Sequence, residues 1–289
     1  MNITQKIVVG IDGSAASMDA VKWAAGEAAL RGRELRIVYA IAPWILEPSA
    51  EPQIEAMREV LRDGGRDLLE QAAERAAEIA PDLGPETGLV PGGSAEGLLR
   101  EAEGQELLVV GGHGLGEVSG LLLGSVSLQV VAHASVPTAV VGRLQPGATL
   151  EVVVGVDSAR TAQPALAFAF EEASRRNARL RAVHAWTHPV PAGPGALQPF
   201  GHDEDLAAED EAGVLSEALA GWREKYPDVE VIEDVVHGGA VRTLTAASAR
   251  ADVLVVGSRG RGGFTGLLLG SVSHALLHRT HCPIVVVPS

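Results

Sequence analysis

The chain has 289 residues, enough for two domains of ordinary size. Of these 46% are hydrophobic and only 3% aromatic, so the cores must be Val, Leu, Ile and Ala, a mix suited to buried parallel strands under helices. The formal net charge of −14 argues against nonspecific nucleic-acid binding and against an anionic membrane surface.

The run KIVVGID (6–12) is short, apolar and β-branched, and predicts a buried strand. It starts without the basic residues and long apolar run of a signal peptide, and the single cysteine, Cys282, can form no disulfide within the chain; a cytoplasmic location is the expectation. SMDAVKWAAGEAALRG (17–32) has helical spacing with Gly32 as C-cap, and ELRIVYAI (34–41) is the next strand. Residues 55–80 read as one or two amphipathic helices with a break at Gly64–Gly65. TGLVPG (87–92) predicts a short strand, SAEGLLREAEG (94–104) a helix opened by Ser94, and ELLVVGG (106–112) a strand. GSVSLQVVAHA (124–134) predicts a helix and PTAVVG (137–142) a last strand. The uncharged stretch from Val118 to Gly142 is long enough for a membrane span, but Ser119, Ser125, Ser127, Gln129, His133 and Pro137 argue against one.

The chain then repeats itself. IVVGIDGS (7–14) meets VVVGVDSA (152–159), ELRIVYA (34–40) meets RLRAVHA (179–185), and LLVVGGHG (107–114) meets VLVVGSRG (253–260). VPTAVVG (136–142) meets CPIVVVP (282–288), and GLLLGSVS occurs twice unchanged. The offset is 145 at Asp12 and Asp157 and 146 at Gly124 and Gly270. A repeat this long is a duplicated domain rather than a solenoid unit. The expected division is 1–146 and 147–289, each half an α/β domain with a five-stranded parallel sheet covered by helices on both faces. Residues 189–205 read as an exposed Pro/Gly-rich loop, and the acidic run HDEDLAAEDE as a solvated helix start.

The glycine string follows a strand, loops and enters a helix. Ligands of open parallel sheets sit beyond the carboxyl ends of the strands, and a helix N-terminus there favours phosphate. Glycines admit close backbone approach, and Ser125 and Ser271 can add a hydroxyl at the helix start. The spacing is Gly111-x2-Gly114-x9-Gly124-Ser125 in the first half and Gly257-x2-Gly260-x9-Gly270-Ser271 in the second. Neither is a P-loop, and a tight turn needing glycine for packing alone stays open as the alternative.

At this motif the chain resembles a tandem universal stress protein of the ATP-binding type, similar to two-domain proteins of actinobacteria. The family motif is G-x2-G-x9-G-(S/T), and both halves carry it in full. The resemblance implies an adenine-nucleotide-binding α/β fold, like that of the adenine nucleotide alpha hydrolases, with ATP and Mg²⁺ as ligands and a role in stress response, growth or dormancy. It also implies an internal pseudo-dimer through the final strands, with pairing of two chains left open. Asp12 and Asp157 would face the nucleoside, Gly10 and Gly155 the ribose, and Ala40 and Ala185 the adenine edge. Gly111, Gly112, His113, Gly114, Leu115, Gly116 and Glu117 would line the first phosphate loop, with Gly124, Ser125 and Val126 at its helix. Gly257, Ser258, Arg259, Gly260, Arg261, Gly262 and Gly263 would line the second, with Gly270, Ser271, Val272 and Ser273.

Plainer readings stand beside these. Asp12 and Asp157 could be helix N-caps. His274, His278, His281 and Cys282 could in principle hold a metal, but Leu128, Ala132, Ser135 and Val136 replace them in the first half, so no metal site is expected. No catalytic set can be placed on the loops, so no enzymatic activity beyond slow ATP turnover is expected. The enzymatic alternative is an adenine-nucleotide hydrolase or adenylyl-transfer enzyme of related topology. A third reading is an interaction module with empty sites.

Overall fold

The computed structural model describes residues 5–112, 123–142, 147–158, 160–187, 204–260 and 268–289. In the first repeat, β1 (Ile7–Ile11), α1 (Ala15–Arg31), β2 (Leu35–Ile41), α2 (Pro43–Leu46), α3 (Pro52–Ala77), β3 (Glu86–Pro91), α4 (Ser94–Ala102), β4 (Leu107–Gly111), α5 (Ser125–His133) and β5 (Thr138–Val141) follow one another. In the second come β6 (Glu151–Gly155), α6 (Gln163–Arg176), β7 (Arg179–Trp186), α7 (Glu204–Lys225), β8 (Val231–His237), α8 (Ala240–Ser248), β9 (Val253–Gly257), α9 (Ser271–Leu276) and β10 (Ile284–Val287). The alternation of strands and helices is the expected α/β pattern. Among the described residues no helix is long and apolar enough to cross a membrane.

The chain divides into two compact units. The first comprises residues 1–147 with 277–288, the second 148–276 with Ser289. In the first unit the strand order is β3-β2-β1-β4-β5-β10. The pairings from β3 to β5 are parallel, whereas β10 pairs antiparallel with β5, with Ile284 opposite Val140 and Val286 opposite Thr138. In the second unit β9-β6-β7-β8 are all parallel. Both units show why the strands carry so few polar residues. Ile7, Val8, Val9, Leu107, Leu108 and Val109 in one, and Val152, Val153, Val154, Val253, Leu254 and Val255 in the other, are fully covered, as strands with helices over both faces must be. Helix α1 packs on α3 and α4 on α5 in the first unit; α6 packs on α7 and α8 on α9 in the second.

Helix termini follow local chemistry. Ser14 caps α1, its Oγ accepting from the Ser17 N–H at 3.2 Å. Gly32 ends α1 in the left-handed region at φ 61°, and Asn177, its counterpart in the second repeat, ends α6 at φ 49°. Ser94 is the first residue of α4 rather than its cap, which is Gly93. The Gly64–Gly65 pair does not break α3. Gly65 is buried, and a Cβ there would lie 2.7 Å from Leu89 Cδ2, so glycine lets the helix close down on β3.

Glu151, the first residue of β6, is buried between arginines. Its carboxylate accepts from Arg179 Nε at 2.6 Å and Arg181 Nε at 2.8 Å. Burial pushes the Glu151 carboxyl up, and the hydrogen bonds and charges of Arg181 and Arg179 outweigh it, holding the group below the usual carboxylate range. A carboxyl lowered in the folded state stabilises above its unfolded pKa and loses that contribution as pH falls through the folded one. Glu151→Gln is therefore expected to lower stability by about 2 kcal/mol near neutral pH. Urea midpoints should show the gap closing as pH falls below the usual carboxylate range; a gap unchanged there would contradict this electrostatic account.

Candidate functional site

In the second unit the carboxyl ends of β6, β7 and β9 open into a cavity of about 490 Å³. Its wall includes Gly155, Val156 and Asp157 at the end of β6, Val183 and Ala185 on β7, and Gly257, Arg259 and Gly260 at the end of β9. Gly270, Ser271, Val272 and Ser273 bring in the start of α9. Ten of the residues that the sequence singled out thus converge on one space. Ser258 lies behind them: it is buried, its carbonyl accepts from the Gly270 N–H at 2.7 Å, and its Oγ lies 3.1 Å from Ser289 Oγ. Arg261, Gly262 and Gly263 lie outside the described residues.

The loop is fastened at its base in the same way in both repeats. Ser273 Oγ donates to the Gly257 carbonyl at 2.7 Å, and Ser127 Oγ donates to the Gly111 carbonyl at 2.6 Å. The Gly124 N–H donates to the Gly112 carbonyl at 2.7 Å, matching Gly270 and Ser258. Of the two serines in GSVS, the second thus ties helix to strand, while Ser125 and Ser271 are exposed at the first helical position. Gly124 is the N-cap of α5, with no side chain bonded to the helix end; Val126 follows in the first turn. The unpaired N–H groups of such a turn attract anions.

In the first unit Asp12 follows β1, Ala40 lies on β2, and Gly111 ends β4 with Gly112 directly after it. His113, Gly114, Leu115, Gly116 and Glu117 lie outside the described residues. Neither aspartate caps a helix. Asp12 Oδ1 accepts from the Ser14 N–H at 2.9 Å, and it is Ser14 that caps α1. Helix α6 begins after Ala162, and Asp157 Oδ1 instead accepts from the Thr161 hydroxyl at 2.6 Å. The acidic side chain is held by its neighbours and left beside the glycine loop.

Several glycines also have a packing reason. A Cβ at Gly10 would lie 2.5 Å from Leu98 Cδ2, and one at Gly155 would lie 3.0 Å from Leu244 Cδ1. The same Gly–Leu contact thus recurs in both repeats, and Leu244 lines the cavity. Gly111 is tighter: a Cβ there would sit 2.8 Å from the Ala16 carbonyl carbon and 2.9 Å from the Ser17 nitrogen, backbone atoms of α1. At its counterpart Gly257 the nearest atom is the Arg259 carbonyl oxygen at 3.2 Å. Gly111→Ala is expected to destabilise the chain by about 2 kcal/mol, and Gly257→Ala by less than about 1 kcal/mol. Urea unfolding of the two variants measures the difference; equal losses would contradict it.

Thr161, Ala162, Ala240, Leu244, Val256 and Leu269 also line the cavity and are absent from the motif. Leu244 was recoverable from its repeat partner Leu98. Thr161 was not, because the first repeat has Ala16 there. Among the described residues no group of His, Cys, Asp and Glu side chains is arranged to hold a metal.

The universal stress protein family model matches residues 4–142 and again 150–288. A universal stress protein of Mycobacterium tuberculosis is 36% identical over 293 residues, covering 99% of this chain and 97% of the relative. A second from the same organism is 37% identical over 288 residues, covering 97% and 96%. The solved structure of a universal stress protein from Archaeoglobus fulgidus superposes with a TM-score of 0.70 at 19% identity, covering 99% of each chain, a likeness of fold. With both halves matched and close relatives along its whole length, the chain belongs to the universal stress protein family, as two such domains in tandem.

Proposed function

We propose that each repeat binds an adenine nucleotide with Mg²⁺, and that the bound nucleotide sets a regulatory state in stress response, growth or dormancy. The observation that carries this reading is the cavity of the second unit. It joins one fixed carboxylate, a glycine loop and the first turn of a helix at the carboxyl ends of parallel strands, the place where such sheets take their ligands. Its volume of about 490 Å³ suits a small ligand.

The residues present fit a nucleotide. A Cβ at Gly260 would lie 2.5 Å from Asp157 Oδ2, so glycine is what lets the carboxylate stand beside the loop. Asp157 is placed to accept from nucleoside hydroxyls, and the loop N–H groups with Arg259 are placed to hold phosphate oxygens. Mg²⁺ takes hard oxygen donors, which phosphates, water and the Ser271 hydroxyl supply. The counterparts Asp12, Gly124 and Ser125 extend the reading to the first repeat. The hydrogen bonding of β10 to β5 supports an internal pairing of the two repeats through their last strands.

Among the described lining residues the ionisable side chains are Asp157 and Arg259. Asp157 is bonded to Thr161, and arginine does not abstract protons, which favours binding over turnover. The test is to measure MgATP binding and ADP formation on the same preparation. Saturable binding with turnover far below the ordinary enzyme range of about 1–10³ s⁻¹ is expected. Turnover within that range would favour the hydrolase or transferase alternative.

A further inference from the structure

Asp157 is held differently from its repeat partner. In the first repeat Asp12 Oδ1 accepts from a backbone group, the Ser14 N–H, at 2.9 Å. In the second the donor to Asp157 Oδ1 is a side chain, the Thr161 hydroxyl, at 2.6 Å. The change has a local cause. At the offset of 145, Ala159 replaces Ser14, the cap of α1. Helix α1 starts at Ala15, equivalent to position 160, whereas α6 starts only at Gln163. Residues 160–162 form a turn instead of the first turn of a helix. Ser158 and Thr161 organise that turn, where the first repeat has Gly13 and Ala16.

The directions of the hydrogen bonds follow from counting donors. A hydroxyl has one hydrogen to give, and a carboxylate only accepts. Thr161 gives its hydrogen to Asp157. Across the 2.6 Å contact between Ser158 Oγ and Thr161 Oγ1, Ser158 is therefore the donor. Ser158 Oγ in turn accepts from the Thr161 N–H at 3.3 Å. The turn closes on itself, with both hydroxyl hydrogens committed inside it.

Asp157 and Thr161 both line the cavity. Oδ1 receives the Thr161 hydroxyl, and Oδ2 lies toward Gly260, 2.5 Å from where a Cβ there would stand. A ligand in the cavity thus meets an oriented acceptor, while neither hydroxyl is available to it as a donor. Such a site favours a ligand that brings its own O–H, and it disfavours an analogue that leaves the acceptor without one. Oδ2 stands beside the glycine loop, so the part of a nucleotide that it meets is the part next to the phosphates, the sugar.

We propose that Thr161, itself oriented by Ser158, is a positioning residue that makes the second site selective for ribose hydroxyls by holding Asp157 as a fixed acceptor. This rests on the reading of the cavity as a nucleotide site. The device belongs to the second repeat.

Calorimetry on the full chain tests it, in a Gly124→Val background so that the second site reports alone. The magnesium complexes of three nucleotides are compared: ATP, its dideoxy analogue lacking both ribose hydroxyls, and inosine triphosphate, which keeps the hydroxyls and lacks the base amine. The parent should bind ATP about tenfold or more tightly than the dideoxy compound. Thr161→Val removes the hydroxyl, keeps a β-branched side chain and leaves the N–H bond to Ser158. It should weaken ATP about fivefold and leave the dideoxy compound nearly unchanged, so that the ratio contracts. Thr161→Ser should restore the ratio. A structural loss would instead lower both affinities together, and that result overturns the proposal. So does a ratio that survives Thr161→Val, or a parent that binds ATP and the dideoxy compound equally. Selectivity that falls on inosine triphosphate, and is lost in Thr161→Val, would place Asp157 against the base and overturn the sugar assignment. A parent that binds none of the three refutes the nucleotide reading and the selectivity with it, whereas binding without selectivity refutes the selectivity alone.

Discussion

Gly260→Val is expected to weaken MgATP binding at the second site about a hundredfold or more while the fold survives. The added Cβ would lie 2.5 Å from Asp157 Oδ2, a separation that real atoms do not tolerate. The carboxylate must leave the position that the Thr161 hydroxyl sets at 2.6 Å, and valine's methyl groups enter the cavity. Losing a charge-assisted hydrogen bond weakens binding by about 1.5–3 kcal/mol, and lost ligand volume adds to it. The fold is spared because Gly260 is exposed and its φ lies outside the left-handed region. Calorimetry on the full chain should lose one of two binding events, with thermal unfolding nearly unchanged. Two unaltered events would place the ligand away from Asp157.

The two sites are expected to differ, the second binding ATP roughly ten- to a hundredfold more tightly. The second loop carries Arg259 and Arg261 where the first carries His113 and Leu115, and Gly263 where the first carries Glu117. Of these, Arg259 is seen in the cavity wall. A guanidinium is always charged and can hold two phosphate oxygens, whereas a carboxylate repels them. Each such charge difference amounts to about 1 kcal/mol at a partly exposed site. Single-site variants, Gly124→Val and Gly270→Val, separate the affinities. Equal values, or a tighter first site, would mean that the backbone N–H groups alone set affinity.

Much of this was legible in the residues. The fold followed from apolar β-branched runs alternating with helical spacing, and the duplication doubled each signal. Ten residues singled out in the second repeat converge on one cavity because they mark strand ends and a helix start, positions that topology brings together. Three things were hidden. The uninterrupted course of α3 through Gly64–Gly65 depends on close contact with Leu89 and Tyr39, which no local propensity encodes. Thr161 and Ser158 break the repeat, so comparing the halves could not reveal them. The packing demand on Gly111 comes from the backbone of α1, remote in the chain, and a motif match cannot separate it from a ligand role.

The most direct test of the central claim is to denature the freshly purified full chain and identify what it releases, with the Gly260→Val, Gly270→Val and Gly124→Val variants alongside. Nucleotide binding predicts an adenine nucleotide in the parent, less in each variant and none when both sites are altered. A parent that releases no adenine nucleotide and takes up no added MgATP, or variants that release as much as the parent, would contradict it.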